Sequence, residues 1–155
     1  MSENLTRIKM AAAAFFTALS AFLGWQGVLF VLWAAVMAID YASGTLAAWL
    51  TGEWSSAVAR DGARHKLGML FVVIVAGITD LTLATVCAYL PIGFDWPVLV
   101  LPLVFAWYIL TELGSILENA VKMGAPIPDW LMKLLCAGLK VINAQGDDLR
   151  EENNG

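Results

Sequence analysis

Acidic side chains inside long apolar segments are the most informative residues of this sequence for chemistry. Asp40 and Asp80 each lie well inside such a segment, and Glu112 lies near the end of a third. About ten residues of helix, or about 15 Å, separate Asp40 from the end of its segment. This distance is half the thickness of a hydrocarbon core of about 30 Å, so Asp40 lies near the middle of the bilayer. An aspartate at that depth costs about 2.5–3.5 kcal/mol. It must therefore be protonated, be hydrogen-bonded to another helix, or face water.

These acids have two interpretations. In the first they line an aqueous path, and in the second they are neutral side chains that hydrogen-bond one helix to another. Acids on three separate segments favour a water-facing role. Four helices of one chain leave no room for a wide lumen, so a large pore would need several copies. The candidates for pore lining or oligomerisation are Asp40, Gly44, Asp80, Glu112, Ser115, Glu118 and Asn119.

No catalytic, cofactor-binding or metal-binding set accompanies these acids in the sequence. His65 is the only histidine, and it lies between Arg64 and Lys66 without a cysteine or carboxylate at metal-ligand spacing. The serines lack a nucleophile-elbow context, and neither a phosphate-binding glycine loop nor a nucleic-acid motif occurs. Cys87 and Cys136 are interpreted as small apolar residues. We predict neither an enzyme nor a nucleic-acid-binding protein, and no cofactor.

The composition is that of an integral membrane protein. Hydrophobic residues make up 60% of the 155 residues and charged residues 14%, whereas soluble domains have roughly 45–50% and about 25%. The charges lie mainly at the chain ends, in residues 53–66 and beyond Glu112. We predict an all-α membrane domain over residues 1–143 and a disordered acidic tail over residues 144–155.

Four apolar segments are candidates for membrane spans. Residues 28–50, 67–90 and 97–117 are each long enough to cross a bilayer, whereas residues 10–25 are short. This first segment has three interpretations: an uncleaved span, an interfacial helix or a cleavable signal peptide. We favour an uncleaved span, so that the fold consists of two helical hairpins.

The basic residues support four spans. They are Arg7, Lys9, Arg60, Arg64, Lys66, Lys122, Lys133 and Lys140, together with Arg150 in the tail, and the connections over residues 24–27 and 91–96 contain none. Four spans with both termini in the cytoplasm place every basic residue on one side, as the positive-inside rule requires. Three spans would leave Arg7 and Lys9 outside.

Two further patterns concern packing and the carboxyl-terminal region. Ala34, Ala38 and Ala42, and then Gly44 and Ala48, repeat at four-residue spacing, which suits close helix packing within one chain or between copies. After a Gly-Ala-Pro-Ile-Pro break, residues 129–143 predict an amphipathic helix at the inner interface. Its interfacial anchors are Trp130, Lys133 and Lys140. A surface for a soluble partner helix is the alternative.

Two stretches together resemble the toxin-secretion and phage-lysis holin family. They are "IDYASGTLAAWLTGEWSSAVARDGARHKLGML" over residues 39–70 and "TELGSILENAVKMGAPIPDWLMKLL" over residues 111–135, with an aspartate, Asp80, in the span between them. The positions that carry the resemblance are Asp40, Tyr41, Gly44, Ser55, Ser56, Gly62, Lys66, Glu112, Ser115, Ile116, Glu118, Asn119, Gly124, Pro126 and Pro128.

The resemblance implies a small protein of the bacterial inner membrane that accumulates harmlessly and then oligomerises into lesions. Such lesions collapse the proton-motive force and release an endolysin, or in some relatives a toxin. Its partners would be copies of itself and the lipid bilayer, and the endolysin would need no direct contact. Two other classes stay open. One is a small proton or cation channel or transporter subunit that uses Asp40 and Asp80 as relay groups, and the other is an accessory membrane protein.

Overall fold

Five α-helices form the fold in the computed structural model, which describes residues 2–90 and 93–151. In chain order they are α1 (Ser2–Leu23), α2 (Trp25–Leu50), α3 (Ser56–Tyr89), α4 (Val100–Lys122) and α5 (Asp129–Glu151). Over the described ranges the chain contains no β-strand. The prediction of an all-α fold is therefore confirmed.

Three of the helices, α2, α3 and α4, are long and apolar enough to cross a membrane. Helix α1 is not among them, so a fourth span stays a prediction. Helix α3 begins at Ser56 rather than near residue 67. The Ser55 hydroxyl caps it by accepting a hydrogen bond from the Val58 N–H at 3.2 Å. The residues that follow include good helix formers such as alanine, arginine and lysine, so the helix extends beyond the apolar segment.

Helix α5 also differs from its predicted extent. It continues to Glu151 rather than ending near residue 143, so residues 144–151, which were predicted to be disordered, are helical. These residues contain no proline and include good helix formers, and one glycine at position 146 does not end the helix. Residues 152–155 of the predicted tail lie outside the described part of the chain.

Glycine-dependent breaks separate the helices at two points. Gly24 has φ of 59° and alone separates α1 from α2. Gly124 has φ of 88° just beyond the end of α4, where its N–H donates to the Val121 carbonyl at 2.8 Å. Left-handed φ values of this kind favour glycine. Pro126 and Pro128 then prevent the helix from continuing, and the chain reverses so that α5 packs beside α4.

Helix α4 is the centre of the fold, because it packs against α2, α3 and α5, while α1 packs on α2. The core consists of Trp33 from α2, Met69, Val73 and Ala76 from α3, and Leu101, Phe105 and Tyr108 from α4. The Phe105 ring lies 5.6 Å from that of Trp33 and 6.1 Å from that of Phe30, measured between ring centroids. Large apolar side chains such as Leu32, Phe71 and Val75 point outward, as on a surface that meets lipid.

Candidate functional site

A lysine joins two of the acids that the sequence singles out. The Lys66 ammonium on α3 donates to Asp40 Oδ2 on α2 at 2.9 Å and to Glu112 Oε2 on α4. The side chains of Lys66, Asp40 and Glu112 are only 13%, 15% and 4% exposed. Buried ions that are both paired and hydrogen-bonded hold their helices in one arrangement. This ion pair network therefore ties α2, α3 and α4 together at one level.

Asn119 extends the network along α4. Its amide nitrogen donates to Asp40 Oδ1 at 3.2 Å and to the Ser43 hydroxyl at 3.1 Å. The Ser43 hydroxyl donates in turn to the Asp40 backbone carbonyl at 3.0 Å. Gly44 lies directly beside this contact, because a Cβ there would be in ordinary van der Waals contact with the Asn119 amide nitrogen, at 3.4 Å. We call Asp40, Ser43, Lys66, Glu112 and Asn119 the polar cluster.

The polar cluster has one more acidic group than basic groups. Two carboxylates, of Asp40 and Glu112, face one ammonium, of Lys66. With all three ionised the cluster carries an excess of one negative charge, and one bound proton makes it neutral. In a medium of low dielectric constant, removing the single cation would leave two uncompensated carboxylates. The arrangement is therefore most sensitive to the loss of Lys66.

A cleft connects the polar cluster with the segment between α2 and α3. Its volume is about 270 Å³, and its walls include Asp40 and Lys66 at one end and Glu53 and Trp54 at the other. Asp40 and Lys66 are accordingly a little more exposed than Glu112. Water therefore reaches the cluster from the end of the molecule that carries Arg60 and Arg64.

Asp80 has a separate role as the cap of α4. Its Oδ1 accepts hydrogen bonds from the backbone N–H groups of Leu99 at 3.0 Å and Val100 at 3.1 Å, and its Oδ2 accepts one from Leu101 at 2.7 Å. The Trp96 indole N–H donates to Oδ1 at 2.7 Å. The first backbone N–H groups of a helix have no partner within the helix, and Asp80 accepts hydrogen bonds from these groups. The next residue, Pro102, has no N–H and so needs no acceptor. A carboxylate at a helix N-terminus is also favoured by the helix dipole.

The structure brings together some of the predicted site residues and separates others. Asp40, Gly44, Glu112 and Asn119 meet at the polar cluster. Asp80 lies 14 residues beyond Lys66 on α3 (80 − 66), about 21 Å along the helix axis. The remaining candidates are outside the cluster: Ser115 is half-buried and Glu118 is exposed on α4, and Trp130, Lys133 and Lys140 are exposed on α5.

Within a single chain the acids are hydrogen-bonding groups rather than the lining of a path. Asp80 and Glu112 are each 3% exposed, and each accepts hydrogen bonds from the chain's own groups. Asp40 does the same at the edge of the cleft. A water-facing role for these residues in an assembly of several copies stays a prediction.

Lys66 was missed as a site residue because the sequence places it beside Arg64 and His65, in a segment that reads as a solvated loop. The spacing along α3 contains the signal that identifies it. Met69, Val73, Ala76 and Asp80 are the buried residues of α3, at alternating steps of four and three. Lys66 lies one three-residue step before Met69, so it continues the buried face.

Comparisons with known proteins identify one matching family and several relatives. The model of the bacteriophage holin family matches residues 17–138. A curated uncharacterised protein of Halalkalibacterium halodurans is 31% identical over 128 residues, which cover 83% of this chain and 90% of the relative. An uncharacterised protein of Listeria innocua is 32% identical over 115 residues, which cover 74% of this chain and 71% of the relative. An uncharacterised protein of Listeria monocytogenes is 35% identical over 96 residues, which cover 62% of this chain and 61% of the relative. No solved structure matches the chain.

Proposed function

This chain belongs to the bacteriophage holin family, and from this premise we propose that it oligomerises in the bacterial cytoplasmic membrane and forms lesions. The lesions collapse the proton-motive force and release a cytoplasmic endolysin. The observation that carries the proposal is the family match, which includes all of α2, α3 and α4 and therefore the complete polar cluster.

The distribution of polar and apolar groups supports lesions built from several copies. The interior of the three central helices is filled by the aromatic core and the polar cluster. Their outward faces are apolar and suit lipid or the helices of another copy. Because the interior is packed, an opening wide enough for an enzyme has to form between copies. Ala38 and Ala42, two of the small residues at four-residue spacing, are exposed on α2.

For the protein before assembly we propose four spans with both termini in the cytoplasm. Helix α1 then provides the first span, with Arg7 and Lys9 on the cytoplasmic side. The polar cluster and its cleft face the cytoplasm, because Arg60 and Arg64 lie on the same end of the molecule. The endolysin needs no direct contact with this protein, since it leaves through the lesion.

We propose that the polar cluster is the latch that keeps α2, α3 and α4 packed within one chain. While the cluster is intact, its charged and polar side chains bond one another, so the monomer is stable in lipid. Assembly into a lesion requires these helices to exchange contacts within one chain for contacts between copies. A change that weakens the cluster would therefore alter when lesions appear rather than whether the protein inserts.

The test is controlled expression in a bacterium that also contains a cytoplasmic endolysin, with membrane potential and lysis followed together. We expect growth to continue and then to end in abrupt depolarisation and lysis. Glu112→Leu should leave the amount of protein in the membrane unchanged and shift the time of lysis. The matched control is Asp61→Leu, because the Asp61 side chain is 72% exposed and pairs only with exposed Arg64 in the described structure.

Each other outcome selects a different class of protein. Depolarisation without release of the enzyme would indicate a small-ion channel. The structure gives a relay through Asp40 and Asp80 little support, because four groups at the start of α4 already bond Asp80. Neither depolarisation nor lysis, with the protein present in the membrane, would indicate an accessory protein. Unchanged timing in Glu112→Leu would remove the latch role.

A further inference from the structure

Helix α5 packs antiparallel to α4. Helix α4 is itself long and apolar enough to span the membrane. Gly138 lies opposite Leu110: a Cβ on Gly138 would be 2.9 Å from Leu110 Cδ1. Farther along, the segment of α5 from Ile142 to Asp147 and the segment of α4 from Leu103 to Tyr108 line one cavity. Because later residues of α5 pair with earlier residues of α4, α5 returns along the length of α4.

The side chains of α5 divide into three faces. The inner face is buried or half-buried against the rest of the chain and consists of Leu131, Met132, Leu135, Gly138, Leu139 and Ile142. A second face is apolar but exposed and includes Trp130, Leu134 and Val141. The third face is exposed and, apart from Cys136, polar, with its residues at steps of three and four. We call it the polar stripe: Lys133, Cys136, Lys140, Asn143 and Asp147.

The docked position of α5 is incompatible with lipid on the side of the polar stripe. If α4 spans the bilayer, then Lys140 and Asn143 lie at the depth of the middle of α4. A charged side chain at that depth is costly when it faces lipid. Helix α5 itself is not among the helices that are apolar enough to span. The docked helix therefore requires water beside the polar stripe, at a depth where a single chain surrounded by lipid has none.

We propose that the docked position of α5 belongs to the assembled lesion, and that its polar stripe lines the aqueous lumen formed by several copies of this chain. This inference rests on the proposed lesion-forming function. It assigns the lumen to residues of α5 rather than to the acids of the polar cluster. In the unassembled protein, α5 lies at the cytoplasmic interface, with Lys133 and Lys140 toward water and headgroups.

The contact between Gly138 and Leu110 provides a reversible lock for testing this inference. In a Cys87→Ser and Cys136→Ser background, Leu110→Cys and Gly138→Cys place two thiols within reach of a short bifunctional thiol reagent or a disulfide. The protein is reconstituted into vesicles, and release of an enclosed fluorescent dextran is measured before and after reduction of the disulfide. We expect the locked protein to release dextran at least as fast as the reduced protein.

Single cysteines then report which face of α5 meets water. Lys140→Cys places a thiol on the polar stripe, and Val141→Cys is the matched control on the exposed apolar face, one residue along the same helix. In assembled lesions with α5 held on α4 by the disulfide between Leu110→Cys and Gly138→Cys, a charged alkylating reagent that leaves disulfides intact should modify Lys140→Cys about tenfold faster than Val141→Cys, because thiolates form in water and not in lipid. In the same lesions, Lys140→Glu should move ion selectivity toward cations when it is measured in about 0.01 M salt, where a charge acts over about 30 Å.

Three results would overturn the inference, and one would overturn the proposed function instead. A locked protein that is inactive and regains activity on reduction would show that α5 must leave α4. Equal reactivity at positions 140 and 141 would show that the stripe does not face a lumen, and unchanged ion selectivity in Lys140→Glu would show the same. Absence of dextran release by the unlocked wild-type protein would instead contradict the lesion-forming function itself.

Discussion

Lys66 is the residue on which the polar cluster depends, because it is the only cation that the structure places between Asp40 and Glu112. We expect Lys66→Met to lower the free energy of unfolding by about 3–5 kcal/mol, the usual cost of leaving buried charges without a partner. Glu112→Gln should cost much less, because it leaves one carboxylate matched with one ammonium. Thermal unfolding of the protein in mild detergent, followed by circular dichroism, measures both.

The matched control is Lys122→Met, which removes an exposed lysine near the same cleft but outside the polar cluster. It should leave the melting temperature nearly unchanged. If Glu112→Gln destabilised the protein as much as Lys66→Met, the excess of negative charge would not be the property that matters. The hydrogen-bond geometry at Glu112 would then be the dominant contribution.

The acids of the candidate site were predictable from the sequence, and their partners were not. A carboxylate inside an apolar window is conspicuous from its immediate neighbours, which is why Asp40, Asp80 and Glu112 could be singled out. The partner of each acid depends on how far a helix extends and how it is rotated. Lys66 becomes a partner only because α3 begins at Ser56 and turns position 66 inward. Neither property has a local signal in hydropathy.

Asp80 determines how α4 begins, so within a single chain it contributes to the fold. Asp80→Ala would leave the backbone N–H groups of Leu99, Val100 and Leu101 without their acceptor. We expect a loss of about 2 kcal/mol in stability, at the upper end for a helix cap because the site is buried. Hydrogen exchange at these amides should become faster, and it can be measured by mass spectrometry.

Two further variants, one conservative at Asp80 and one at an exposed acid, serve as controls for the capping role of Asp80. Asp80→Asn retains one acceptor oxygen, so its effect should be intermediate. Asp95→Ala removes an exposed acid from the same connection between α3 and α4 and should change neither stability nor exchange. Unaltered exchange at the start of α4 in Asp80→Ala would contradict the capping role and would return Asp80 to the candidates for a water-facing residue.

The apolar helices were predicted more accurately than their polar extensions. Helices α2 and α4 correspond to the apolar windows, because hydropathy alone identifies about 20 residues that must cross lipid. The first part of α3 and the last part of α5 are polar. Helix continuation there depends on residue propensity and on packing, which hydropathy does not report. The antiparallel contact of α5 with α4 was likewise not predictable, because the amphipathic pattern of α5 also suits a membrane surface.

The proposed orientation of the chain as a whole rests on where its basic residues lie. Arg7 and Lys9 lie in the first part of α1, and Arg60 and Arg64 lie in the first part of α3. Both groups remain in the cytoplasm only if α1 crosses the membrane. Helix α1 is 22 residues long but less apolar than α2. The number of spans therefore depends on the balance between the hydropathy of the later part of α1 and the charges in its first part.

We predict that α1 crosses the membrane, and labelling of single cysteines in intact cells tests this before lesions form. In the Cys87→Ser and Cys136→Ser background, a membrane-impermeant maleimide should label Asp95→Cys but not Leu5→Cys or Asp61→Cys. All three should react once the membrane is permeabilised, because positions 5, 61 and 95 are exposed. Labelling of Leu5→Cys together with Asp95→Cys in intact cells would place the amino terminus outside. The chain would then have three spans, and α1 would lie on the outer surface. Arg7 and Lys9 would then be outside, contrary to the positive-inside rule.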